Sequence, residues 1–93
     1  LGTDLDNDEA FSYFQKSAEE GDEFGQFWTG YYYFYGFGVT RDYEKTLCWF
    51  LKSSEQGNAA SQYWRGYMCK NGLGCEKDEK EAIIWLKKSA KQG

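Results

Sequence analysis

Apolar residues recur along the chain at steps of three and four, the spacing that gives a helix one buried face. Phe11, Phe14 and Ala18 share such a face, and Ala82, Ile83, Leu86 and Ala90 share another. Leu47, Phe50 and Ser54 follow the same spacing between them. The polar residues at the ends of these stretches read as caps. Asn58 is a good N-cap ahead of Ala59-Ala60-Ser61-Gln62-Tyr63-Trp64, because its side chain can accept from a free N–H of the first turn. Asn71-Gly72 should end that helix, since glycine adopts the left-handed C-cap conformation without a Cβ penalty. Asp78 caps a helix predicted from Glu79 to about Lys91 and ending at Gly93, and the same frame predicts one from about Asn7 to Glu20. The run Tyr31–Tyr35 has strand propensity, but glycines bracket it. The chain has no proline to break a helix. Five helices and no strands are expected.

The pattern repeats. Shifted by 36 positions, Gly21 falls on Gly57 and Gly93, Lys16-Ser17 on Lys52-Ser53 and Lys88-Ser89, and Tyr13 on Trp49 and Trp85. Gln26 falls on Gln62, Trp28 on Trp64, Gly30-Tyr31 on Gly66-Tyr67, and Asp42 on Asp78. Residues 10–45 and 46–81 agree at 12 of 36 positions without a gap, where unrelated sequence would give about two. The chain is therefore expected to be one repeat domain over residues 1–93: a half repeat at 7–21, then repeats at 22–57 and 58–93. Its start at Leu1 and its end where another first-type helix would begin suggest a piece of a longer array. The apolar face around Ile83, Ile84 and Leu86 is then expected to be covered by further repeats or a neighbouring molecule.

Composition narrows the chemistry. The 93 residues contain no histidine, which removes Ser-His-Asp and Cys-His nucleophile systems and histidine-ligated metals. No catalytic, cofactor or metal residues are expected, and the chain is not expected to be an enzyme. Net charge is −4, so nucleic acid is not an expected partner. The charge is uneven: residues 1–23 hold eight acids and one lysine, whereas residues 70–93 hold six lysines and four acids. No apolar run approaches the roughly 20 residues of a membrane span. Three cysteines, Cys48, Cys69 and Cys75, make no complete disulfide framework. Free thiols in a reducing, cytoplasmic setting are expected, with a Cys69–Cys75 bridge as the lesser alternative. The Gly36-Phe37-Gly38 and Gly72-Leu73-Gly74 segments read as turns; no Lys-Ser/Thr follows to make a phosphate loop.

Residues 52–62 (Lys-Ser-Ser-Glu-Gln-Gly-Asn-Ala-Ala-Ser-Gln), Gly66-Tyr67, Gly72-Leu73-Gly74, Asp78 and Ala82-x-x-Trp85 together resemble the Sel-one-like repeat. That family is the 36-residue relative of the tetratricopeptide repeat, whose period is 34. The resemblance covers about residues 8–93 and implies a right-handed α/α superhelical solenoid of antiparallel helix pairs acting as adaptor or scaffold. Three departures stand out. Thr29 and Arg65 occupy the place where leucine is usual before the first-helix glycine, and Cys69 stands where tyrosine is usual. The positions at which a cysteine-rich branch pairs its cysteines fall near Ala18/Ser54 and Gly25/Ser61, so the disulfide-bonded secreted form is not expected.

Aromatic residues are 20% of the chain, more than so small a core needs. Phe11, Phe14, Leu47, Trp49, Phe50, Ile83, Trp85 and Leu86 are expected to supply that core. The resemblance maps the groove-facing positions of the first-type helices to Phe24, Phe27, Tyr31, Phe34 and Tyr35, and one repeat later to Ala60, Tyr63, Tyr67, Lys70 and Asn71. Trp28 and Trp64 lie beside them. These aromatics are expected either to grip a protein or peptide partner or to pack between neighbouring helix pairs. A purely structural segment and a carbohydrate-stacking surface are the alternatives, and self-association through the array ends stays open.

Overall fold

The computed structural model describes residues 3–92, with side chains from Asp6 onward. It contains α1 (Thr3–Glu19), α2 (Glu23–Tyr35), α3 (Tyr43–Glu55), α4 (Ala59–Asn71) and α5 (Glu79–Gln92). Each helix packs on the next in chain order, as antiparallel pairs of an α/α solenoid measuring 43 × 22 × 21 Å. The tyrosine run lies wholly within α2. Helix α1 starts ahead of the expected Asn7. Gly93, the expected stop of α5, lies outside the described residues.

The caps form as their side chains dictate. Asp22 accepts the Gly25 N–H at 2.7 Å, and Asn58, one repeat later, accepts that of Ser61 at 2.8 Å. Asp42 and Asp78 do the same for Lys45 and Glu81 at 3.0 and 3.1 Å. Helices α2 and α4 end on Gly36 and Gly72 at φ 74° and 67°. The Gly36–Gly38 and Gly72–Gly74 segments are turns.

The interior is unusual in its chemistry. Phe50 and Met68 are fully buried, but so are Thr29, Thr46, Ser53, Ser54 and Ser61. Small side chains let the helices approach closely. A Cβ built on Gly30 would sit 2.8 Å from the Phe50 ring, and one on Gly66 would sit 2.7 Å from Leu86 Cγ. Serine hydroxyls bond across the seams. Ser53 Oγ donates to the Glu23 carbonyl at 2.8 Å, and Ser89 Oγ to that of Ala59 at 2.9 Å. Gln56 Nε2 donates to Gln26 Oε1, and Gln92 Nε2 to Gln62 Oε1. Each of these pairs is displaced by 36 residues from its counterpart, so the register read in the sequence is also the register of the bonding.

The expected core needs correction at Ile83, which is 51% exposed. Its counterpart Leu47 is half buried, and α4 packs onto α3 beside it. Ala82, Met68, Ala18 and Tyr33 are buried instead. Trp49 and Trp85 are only half buried, and each carries a lysine over its ring, Lys52 at 4.7 Å and Lys88 at 4.3 Å.

Candidate partner-binding face

The helical period gathers rings on α2 and α4. Phe24, Trp28, Tyr31 and Tyr35 lie along one stripe of α2, and Ala60, Trp64, Tyr67 and Asn71 along the matching stripe of α4, with Tyr63 beside it. Phe24, Trp28, Tyr35, Tyr63 and Tyr67 are exposed, as are Ala60, Lys70 and Asn71. Tyr31 is half buried, with ring neighbours Phe27, Trp28, Tyr32, Tyr35, Phe37 and Trp64.

Two of the residues mapped to the groove, Phe27 and Phe34, and Trp64 beside them fill seams. Phe27 stacks on Phe50 of α3 at 5.7 Å, and Phe34 lies 5.1 Å from Tyr43. Trp64 meets Phe34 at 4.9 Å and Phe50 at 5.9 Å, joining α2, α3 and α4. The two tryptophans occupy the same repeat position in different surroundings. Trp28 stacks on Phe14 of α1 and stays 39% exposed, while Trp64 has α2 beside it. The repeat position alone does not distinguish them. Phe37, in the turn after α2, joins the face by stacking on Tyr35 at 5.4 Å. Its place between two glycines is the signal in the sequence that marks it.

The face is nearly free of carboxylates. The one acid of α2, Glu23, accepts from Asn58 Nδ2 at 3.1 Å, and α4 contains none. Lys70, in the last turn of α4, lines a small cleft with Glu79, Ala82, Ile83 and Leu86 of α5. Among the described residues no group of three or more His, Cys, Asp and Glu side chains could hold a metal ion. No helix there is long and apolar enough to cross a membrane.

The repeat model described as "Sel1 repeat" matches residues 1–22, 24–58 and 59–93. The chain belongs to the Sel1-repeat family. Two solved structures are similar throughout. A protective antigen present in uropathogenic Escherichia coli strains, displaying an SLR fold, matches at TM-score 0.91 and 38% identity over 92% of this chain. A Sel1 repeat protein from Oxalobacter formigenes matches at TM-score 0.91 and 30% identity over 94%. The chain spans only 18% and 25% of those two chains. No curated protein matches it. Sel1 repeats are non-catalytic scaffolds for protein–protein interaction, and this chain has that fold.

The departures from the usual Sel1 pattern have structural outcomes. Thr29 is fully buried, and its Oγ1 has no hydrogen-bond partner among the described residues. Arg65 lies across the Trp85 ring and donates to Ser54 Oγ at 3.1 Å. Burial lowers its pKa, against the pull of the Glu55 and Glu81 carboxylates. It lines a cleft of about 360 Å³ with Leu47, Leu51, Cys69, Cys75, Glu76, Asp78 and Glu81. The three cysteines are free, and Cys69 and Cys75 line the same cleft. Burial pushes the Cys69 thiol up, and Cys75, Asp78 and Glu81 add to the shift.

Proposed function

We propose that this Sel1-repeat segment binds a protein or peptide through the aromatic face of α2 and α4. The observation that carries the reading is the continuity of exposed rings across two successive repeats. Trp28, Tyr31, Tyr35 and Phe37 lead through Trp64 to Tyr63 and Tyr67 by centroid separations of 4.9–6.4 Å. Large exposed aromatic patches are costly to leave in water, and tyrosine and tryptophan are common binding hot spots. The segment then works as part of a longer array. Two features support that reading: the much longer matched chains and the half-exposed Ile83 and Ile84 of α5.

Tyr63 and Tyr67 are the best probes, because among the described rings each is paired with Trp64 alone. Tyr31 is too deeply knit into its neighbours for a clean test. The variants Tyr63→Ala and Tyr67→Ala should keep the wild-type urea midpoint and lose partner capture from a source lysate. Undiminished capture by both variants would reduce the segment to a spacer.

A further inference from the structure

Independently of the aromatic face, we propose that copies of this chain associate by antiparallel pairing of α1 of one copy with α5 of another. The contact is made by two surface stripes. On α1 and the turn after it, Asp6, Glu9, Tyr13, Lys16 and Glu20 recur at steps of three and four, and all are exposed. On α5 and the loop before it, Lys77, Glu81, Ile84, Lys88 and Lys91 recur at such steps; Glu81 is half buried and the others are exposed. That spacing holds residues on one side of a helix, where a second helix can meet them. Each stripe has a bare apolar side chain at its centre, Tyr13 at 71% exposure and Ile84 at 49%. Neither stripe belongs to the seams of the stack. Helix α3 has α2 on one side and α4 on the other. Even so, its Lys45, Cys48, Lys52 and Glu55 stay exposed, and these are the repeat counterparts of Glu9, Ile84, Lys88 and Lys91.

Charge selects both the occupant and its direction. With Tyr13 against Ile84, the antiparallel stripes pair Asp6 with Lys91, Glu9 with Lys88, Lys16 with Glu81 and Glu20 with Lys77. Every pair is of opposite sign. The other arrangements lack this match. Parallel pairing of the same stripes sets Glu9 on Glu81 and Lys16 on Lys88. Two antiparallel α1 stripes set Asp6 on Glu20, and two α5 stripes set Lys77 on Lys91. Helix α3 in place of α5 sets Asp6 on Glu55 and Lys16 on Lys45. Like charges set face to face cost energy and exclude the wrong partner. Lys77 already lies 3.8 Å from Glu79, but both side chains are well exposed, and such a pair is easily exchanged. Exposed ion pairs are individually weak, so the association is weak and sensitive to salt. It joins two different surfaces, so it propagates from copy to copy unless the rotation closes a ring.

The test is sedimentation velocity of the whole chain over a concentration series. At about 50 mM salt the average mass should rise with concentration, with a Kd of about 0.1–1 mM, and about 0.5 M salt should return it to the monomer. The double variant Asp6→Lys with Glu9→Lys should be monomeric, and so should Lys88→Glu with Lys91→Glu. Mixed in equal amounts, the two should associate again, because each reversed stripe then finds its complement. Circular dichroism like that of the wild type checks that both variants fold. Ile84→Ser, at a position whose counterpart is already exposed, should weaken association about tenfold. A wild type that stays monomeric overturns the proposal. Association that survives both reversals and Ile84→Ser overturns the stripes as its site. Folded reversed variants that remain monomeric when mixed overturn the pairing of α1 with α5.

Discussion

The guanidinium carbon of Arg65 lies 3.7 Å from the centroid of the Trp85 ring. That contact ties α4 to α5, while the hydrogen bond from Nη1 to Ser54 Oγ ties α4 back to α3. One side chain thus spans two seams. Arg65→Ala should destabilise the fold by about 1–2 kcal/mol, the sum of a part-buried cation–π contact and one hydrogen bond. Arg65→Leu, which restores the usual Sel1 residue, should lose less because its side chain still covers Trp85. Urea unfolding midpoints in the order wild type, Leu, Ala check this; an alanine variant as stable as wild type would refute it.

Thr29 gives the opposite sign. Its hydroxyl is dehydrated with no partner among the described residues, so it contributes a desolvation cost and no bond. Thr29→Val keeps the shape and should raise stability by about 1 kcal/mol. A lower urea midpoint for the valine variant would mean that the hydroxyl is satisfied in solution.

Gly30 lets α2 and α3 pack closely against each other. A methyl group there would meet Phe50 Cδ1 and Cε1 at 2.8 Å, and Phe50 is fully buried. Gly30→Ala gains helix propensity, but overpacking should dominate and cost about 1–3 kcal/mol. Chemical denaturation measures it, and Gly66→Ala against Leu86 should cost less, since Leu86 is only half buried.

Cys69 makes the fold sensitive to alkali. Its pKa is raised in the folded chain, first by burial, so the unfolded chain loses that proton at lower pH. The stabilisation is complete below the ordinary thiol pKa of about 8.5 and is lost as pH climbs from there toward the folded-state value. The stability difference between wild type and Cys69→Ser should therefore shrink across that alkaline window. Denaturation at several pH values reads it directly, and a constant difference would exclude the thiol as the source.

The helices, their caps and the 36-residue register were legible because each rests on local chemistry. Asn58 and Asp78 cap in place, and Gly72 turns left-handed where the sequence required. Burial depended on neighbours, so it was less legible. Ile83 and Leu47 hold the same repeat position, yet Ile83 lies exposed on α5 while Leu47 is half buried. The candidate face was legible as a set of rings. The division into seam residues such as Trp64 and surface residues such as Tyr63 was not, because both are neighbouring aromatics on one helix and only the packing of α2 beside Trp64 separates them. The polar interior was legible only at Ser54, which falls on the face of Leu47 and Phe50, because serine and threonine carry no apolar signal. The Ser53 and Ser89 hydroxyls find their partners on the first helix of their own repeat.

Those serine and glutamine crosslinks have a mechanical consequence. A seam of aliphatic side chains can slide, since dispersion attraction is non-directional and re-forms at the next register. Ser53 on the Glu23 carbonyl, Gln56 on Gln26, Ser89 on Ala59 and Gln92 on Gln62 are directional. Slippage of one helix by a single residue, about 1.5 Å, would break the two bonds of that seam together. The stack should therefore flex by bending between helix pairs and resist shear. Under tension it should yield in discrete steps of one repeat, each step releasing a pair of such bonds at once.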